Sequence, residues 1–290
     1  MQKMELLSLK GKRAERLSTG VQYLFIILAA LFFLMPLYFM LIGSFREMIG
    51  AMATPQLLPK NPTLKNYFDL INSSFPVGKW MFSSIFISTV TTVLAVLISC
   101  MMGYVFAKKS FPGKKWIFLL VITTMMLPKQ ASLIPLFLTV KELGLVNSYW
   151  GVILPMISWP YGIFMMRQFM QEVPNELIEY AQVEGAGEIR IFTHVVMPLV
   201  KPSIATLAII MFLQSWGDFM WQLIILKRQD MWTMNVGLSV LIRNASGGAS
   251  IINYGLAMAG GCIAALPIVM LFLAFQKYFI KGVTLGAVKG

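Results

Sequence analysis

Charge is scarce in this chain. Asp, Glu, Lys and Arg make up 12% of its 290 residues, against roughly 25% in a soluble domain. With 58% hydrophobic residues, that shortfall excludes a water-soluble globule. Cysteine is nearly absent. Cys100 and Cys262 both fall in apolar runs, so no disulfide framework and no metal cluster is expected. His194 is the single histidine and has no cysteine or acid at ligand spacing. No G-x-x-x-x-G-K-S/T string occurs; Gly11-Lys12, Gly78-Lys79 and Gly113-Lys114 lack the following hydroxyl and the upstream glycine. No catalytic or metal-ligating set is expected. A membrane enzyme would need a clustered nucleophile, acid–base pair or metal set near one face, and none is visible.

What the chain has is length in apolar runs, with a mean hydropathy of +0.74. A spanning helix needs about 20 mainly apolar residues. Six runs qualify, at residues 21–42, 80–107, 116–138, 149–166, 203–226 and 254–275. The fold class expected is all-α and polytopic, with six transmembrane helices. Pro128 and Pro135 interrupt the third run, which makes it the least regular. The first run is longer than a signal-peptide core and no small-residue cleavage site follows, so a retained anchor is expected. The sequence divides into a cytoplasmic N-terminal tail (1–20), a six-helix domain (21–281) and a cytoplasmic C-terminal tail (282–290). Within the second run, Ser83, Ser84, Ser88, Thr91 and Thr92 suit close helix contact or a polar path. Gly255/Ala259 and Gly261/Ala265 form two small-xxx-small pairs in the sixth, and a flexible Asn244-Ala-Ser-Gly-Gly248 precedes it.

The net charge of +12 follows topology rather than nucleic acid. With six spans, fifteen basic residues share the side of the termini and nine the other. That excess predicts both termini on the cytoplasmic side of the membrane.

Five of the twelve acidic residues crowd into one loop, residues 171–202: Glu172, Glu176, Glu179, Glu184 and Glu188. Pro174 suits the start of a helix. Glu176 and Glu179 lie near its positive end. Gly185 and Gly187 are expected to end it in a left-handed reversal. Ile189, Phe192, Val195 and Val196 give a second amphipathic segment, closed by Pro198 and Pro202. A helix, a glycine turn and a short helix are therefore presented to the cytosol. By itself that describes either a docking element or a solvated connector.

The loop resembles the EAA loop of ABC importer permeases, E-A-A-x3-G-x9-I-x-L-P. Glu179, Ala181, Gly185 and Pro198 stand at its fixed points. Val195 and Met197 replace Ile and Leu, and Tyr180 stands where the family has a second alanine. The resemblance implies a coupling helix that inserts into a cleft on an ATPase subunit, with Glu184 and Arg190 as further ionic contacts. Beyond the loop, the chain is similar over nearly its full length to the maltose-type carbohydrate permeases, the shorter six-span partner of the pair. The shared strings include Asn61-Pro-Thr-Leu-Lys-Asn-Tyr67, Phe111-Pro-Gly-Lys114, Leu143-Gly-Leu-Val-Asn147 and the ending Gly282-Val-Thr-Leu-Gly-Ala-Val-Lys-Gly290. In that family the tail reaches the interface of the two ATPase subunits. The resemblance implies the type I importer permease fold and import of a sugar or oligosaccharide. It also implies a second homologous permease, two ATPase subunits and an extracellular solute-binding protein. ATP and Mg would sit on the ATPase, with no cofactor on this chain and no nucleic acid.

An acid inside a span is a functional candidate. Asp218 lies in Gln214-Ser-Trp-Gly-Asp-Phe-Met-Trp-Gln222, and the family has a comparable Trp-x-Asp/Glu-Phe element. Trp216 and Trp221 could stack on sugar faces, and Gln214, Asp218 and Gln222 could bond hydroxyls. Asp218 could instead pair structurally with a partner helix. An ion-coupled carrier would need intramembrane ion ligands or a broken-helix repeat. Asp218 is the only acid well inside a run, which disfavours it.

Overall fold

A chain that must satisfy its backbone without water can do so within helices. In the computed structural model, which describes residues 2–47, 57–245 and 253–287, helix is the only regular element. Contacts divide the chain into two units, residues 1–72 with 242–263, and residues 73–241 with 264–290.

The first unit holds α1 (Gln2–Ser44), α2 (Lys65–Ile71) and the opening of α14 (Tyr254–Ala287). Helix runs from Gln2 without a break into the apolar run that begins near residue 21. Its apolar stretch, Thr19–Ser44, is long enough to cross a membrane and buries none of its most apolar window within the chain. Asn66 ties α2 to the end of α1, donating from Nδ2 to the carbonyls of Ser44 (2.9 Å) and Arg46 (2.7 Å). Gly255 lies so close to the Arg46 carbonyl that a Cβ would come within 2.3 Å of it. The small residues opening α14 therefore serve packing inside the unit.

The second unit is built on α3 (Val77–Lys108), which is continuous over 32 residues. Around it lie α4 (Lys114–Thr123), α5 (Lys129–Glu142), α6 (Tyr149–Ile157), α7 (Pro160–Gln171) and α8 (Asn175–Val183). There follow α9 (Glu188–Arg190), a π-helical turn (Ile191–Val196), α10 (Met197–Leu199), α11 (Lys201–Gly217), α12 (Met220–Ile225) and, as far as Leu241, α13 (Met234–Ala245). Against α7, α3 approaches so closely that a Cβ on Gly103 would sit 2.7 Å from Met166, and one on Gly162 2.4 Å from Ser99 Oγ. The hydroxyl-bearing face of α3 is buried in this packing. Ser83 pairs with the Tyr149 hydroxyl, while Ser88, Thr91 and Thr92 have no hydrogen-bond partner.

Among the described residues, three single helices are long and apolar enough to cross a membrane: Thr19–Ser44, Val77–Lys108 and Tyr254–Gln276. Two bent pairs bring the number to five if each is one span. The third expected run turns by 106° between Lys114–Met126 and Lys129–Glu142, because Pro128 has no N–H to continue the helix and confines Leu127 to extended backbone. The fourth breaks at Ser158 and Trp159, ahead of Pro160. Asp218 and Phe219 break the fifth. Glycine punctuation at Gly185 and an αL Asn147 (φ 60°) complete the turns. The Asn147 side chain accepts the N–H groups of Lys227 and Arg228, both at 3.0 Å. Residues 48–56 of the long external loop, 246–252 of the Asn244 segment and 288–290 of the C-terminal tail lie outside the described residues. The rest of that tail, to Ala287, continues α14.

Candidate functional site

Helix α8 turns one face inward and one outward. Ile178 is buried and Ala181 half-buried, three residues apart on one side. They pack into a cluster with Met170, Val173, Ile191, Val196, Val200 and Leu207. Outward are Leu177, Tyr180 and Val183, with Ile189 beyond the turn. Val183 and Ile189 are more than 80% exposed (86% and 81%), which is unusual for aliphatic side chains in a polar loop. Glu179, Glu184 and Arg190 are exposed around them. Tyr180 is 69% exposed, so its bulk, in place of the family's alanine, lies away from the core.

The turn after α8 is a Schellman motif. Gly185 N–H donates to Gln182 O and Ala186 N–H to Ala181 O, each at 2.9 Å. Gly185 takes φ +80°. Gly187 does not share the left-handed role expected of it; at φ −70° and ψ 162° it is extended backbone preceding α9. Pro198 is exposed within α10.

Sequence reasoning misses what holds this loop. Lys109 Nζ contacts Glu188 Oε1 at 2.5 Å, and the Tyr104 hydroxyl donates to Glu188 Oε2 at 3.1 Å. Lys108 Nζ donates to Val173 O and to Asn175 Oδ1. Burial disfavours the Lys109 charge, but the hydrogen bond to Glu188 and the nearby Tyr104 outweigh it and raise the ammonium above the ordinary lysine range. A pair this exposed is worth about 0–1 kcal/mol. Burying Ile178, Ile191 and Val196 is worth about 1.5–3 kcal/mol each. Apolar packing therefore fixes the loop, and the charges orient it.

The second feature is a cavity of about 660 Å³. Three helix breaks of this unit border it, through Leu127, through Ser158 and Trp159, and through Asp218 and Phe219. Breaks free backbone polar groups, and in a membrane such backbone is tolerated where it lines a cavity or is covered by protein. Gln214, Asp218 and Trp221 are brought together here. Trp221 is 4% exposed and its indole N–H has no partner. Lys129 joins them, a cation the sequence reading left aside. Trp216 does not line the cavity. Its ring stacks on Phe212 and its carbonyl accepts Asn235 Nδ2 at 2.8 Å. Gln222 is also turned away, bonding Ser215 O (2.9 Å) and the Thr233 hydroxyl (2.5 Å). The break after Gly217 ends the four-residue spacing that would have aligned Gln222 with Asp218.

A broken-helix cavity and a packed loop with an exposed apolar face are the two features that comparison with known proteins bears on. Residues 95–285 match the family described as the binding-protein-dependent transport system inner membrane component. The chain belongs to that family. It is the membrane permease of an ABC importer, and the ATPase of such a system is a separate subunit. The permease is 37% identical over 270 residues to the arabinooligosaccharides transport system permease protein AraQ of Bacillus subtilis, covering 92% of this chain and 94% of that one. It is 32% identical over 280 residues to the lactose transport system permease protein LacG of Rhizobium radiobacter, covering 94% and 97%. Its fold matches a bacterial ABC transporter involved in import of the acidic polysaccharide alginate, with TM-score 0.77, 22% identity, and coverage of 92% of this chain and 98% of that one. A second structure is the alginate transporter in complex with an alginate pentasaccharide-bound periplasmic protein (TM-score 0.58, 16% identity, covering 88% and 92%).

Proposed function

We propose that this permease carries a sugar or oligosaccharide across the bacterial cytoplasmic membrane, with both termini in the cytoplasm. The observation that carries the reading is the cavity at the three helix breaks. It offers Gln214, Asp218 and Lys129 to hydroxyl groups, and the Trp221 indole ring for an apolar sugar face. The names of the relatives, arabinooligosaccharides and lactose among them, favour the same substrate class.

The working assembly pairs this chain with a second homologous permease, two ATPase subunits and an extracellular solute-binding protein. The alginate complex with its periplasmic protein supports the last of these. ATP and Mg belong to the ATPase. The docking residues are Glu179, Ala181, Glu184, Gly185, Arg190 and Pro198, with exposed Leu177, Tyr180, Val183 and Ile189 as the apolar contact. Closure of the ATPase dimer moves the loop, and the cavity changes the side to which it opens. The linkage requires that ATP and the loaded binding protein favour the same state.

The test is uptake by the assembled importer in vesicles, with the cognate binding protein first screened against a glycan panel. Uptake of a bound glycan that depends on ATP and on this chain supports the reading. ATP-dependent uptake of an amino acid or ion, with no glycan bound, overturns it.

A further inference from the structure

The inner end of α3 grips the docking loop at two places. Lys108 holds the start of α8 through Val173 O and Asn175 Oδ1 (2.8 Å). Lys109 and Tyr104 hold the start of α9, each taking one oxygen of Glu188, at 2.5 Å and 3.1 Å. The Lys109 ammonium also lies 5.4 Å from the centroid of the Tyr104 ring, and that ring leans on Phe192 of the π-helical turn at 5.3 Å. At the other end, Trp80 Nε1 donates to Gln229 O at 2.7 Å. Ser84 Oγ accepts the N–H of Met234, the first residue of α13, also at 2.7 Å. The whole of α3 is unbroken over 32 residues, and the two grips on it lie roughly 30–44 Å apart at 1.5 Å per residue.

The loop is joined along the chain to α7 and to α11. Both lead within a few turns into a break, at Ser158–Trp159 and at Asp218–Phe219. A break is a hinge, and it absorbs displacement. An unbroken helix passes displacement on. We infer that the Glu188–Lys109–Tyr104 link, together with Lys108, makes α3 the rod that carries movement of the docking loop to the segment 229–241 on the far side. Lys109, Tyr104 and Glu188 are positioning residues. They act through the loop and touch neither substrate nor nucleotide. The inference rests on the docking reading of the loop.

The experiment uses the assembled importer in lipid vesicles. It compares the unsubstituted chain with Lys109→Gln, Glu188→Gln, Tyr104→Phe and the double exchange Lys109→Glu/Glu188→Lys. Two quantities are read: sugar imported per ATP hydrolysed, and hydrogen exchange of residues 175–196 and 229–241 with and without a non-hydrolysable ATP analogue. Lys109→Gln and Glu188→Gln should lower import per ATP by up to about fivefold, the most that an exposed ion pair can contribute and the lower end of ordinary allosteric coupling. They should abolish the nucleotide-dependent change at 229–241 while leaving the change at 175–196. Tyr104→Phe should fall between, and the double exchange should regain most of the ratio. A response at 229–241 that persists in Lys109→Gln overturns the proposal. So does a double exchange that behaves like the single variants, since a merely structural pair would show the same loss of complex in each. If residues 175–196 of the unsubstituted chain show no nucleotide-dependent change, the docking reading fails, and the rod fails with it.

Discussion

The Asp218 carboxylate accepts the backbone N–H of Trp221 at 3.3 Å, across the gap between α11 and α12. One residue thus ends a helix, caps the next and lines the cavity at the helix breaks. Capping and transport are separable because asparagine caps as well as aspartate. Asp218→Asn should leave thermal stability in detergent unchanged and lower sugar uptake several-fold through loss of charge. Asp218→Ala should lose the cap as well, at a cost of about 1 kcal/mol. Equal uptake by all three proteins, measured in vesicles at matched incorporation, would remove Asp218 from the path.

Trp221→Phe deletes an indole N–H that is buried and unpaired. Removing an unsatisfied donor should not destabilise the protein. The expected result is an unchanged or higher melting temperature with weaker apparent affinity for sugar. A marked drop in stability would mean that the N–H has a partner inside the folded chain.

Gly185 has open space around it, with nothing within 4 Å of a built Cβ. Only its backbone, at φ +80°, resists substitution. Gly185→Val should cost upwards of about 1–2 kcal/mol at the turn and uncouple ATP hydrolysis from uptake, with normal delivery to the membrane. Gly185→Asn should keep most activity, since asparagine tolerates this conformation. If valine and asparagine behave alike, the turn geometry is not what matters.

Glu179→Lys reverses an exposed charge on the outward face of α8 without touching the buried side that carries Ile178. It should reduce recovery of the ATPase when the permease is purified, more so at low salt. Recovery equal to that of the unsubstituted chain at every salt concentration would exclude Glu179 from docking.

The docking loop is legible in sequence because its signals are local. A proline start, acids near a helix N-terminus and a glycine stop act within a few residues of one another. Gly187 misleads because a second glycine near a helix end looks the same in sequence, whether it reverses the chain or only extends it. The kink at Pro128 is legible for the same local reason. The breaks at Ser158 and Asp218 are hidden inside apolar runs, where hydropathy reports length and not continuity. Trp216 and Trp221 are indistinguishable by composition. Which one faces the cavity depends on the direction α12 takes after the break. Glu188 pairs with a lysine 79 residues away, and no local rule finds such a partner.

The π-helical turn at Ile191–Val196 sets the angular phase between the docking loop and everything that follows. A turn of this kind accommodates one more residue than an α-helical turn. An ordinary α-helical turn one residue shorter would leave Val196, Val200 and Leu207 facing the cluster that anchors the loop. The same extra residue in a regular helix would instead turn everything beyond it by about 100°. The wide turn is thus a phase adjuster. It lets one stretch of chain keep Ile189 exposed and still return Val200 to its own core.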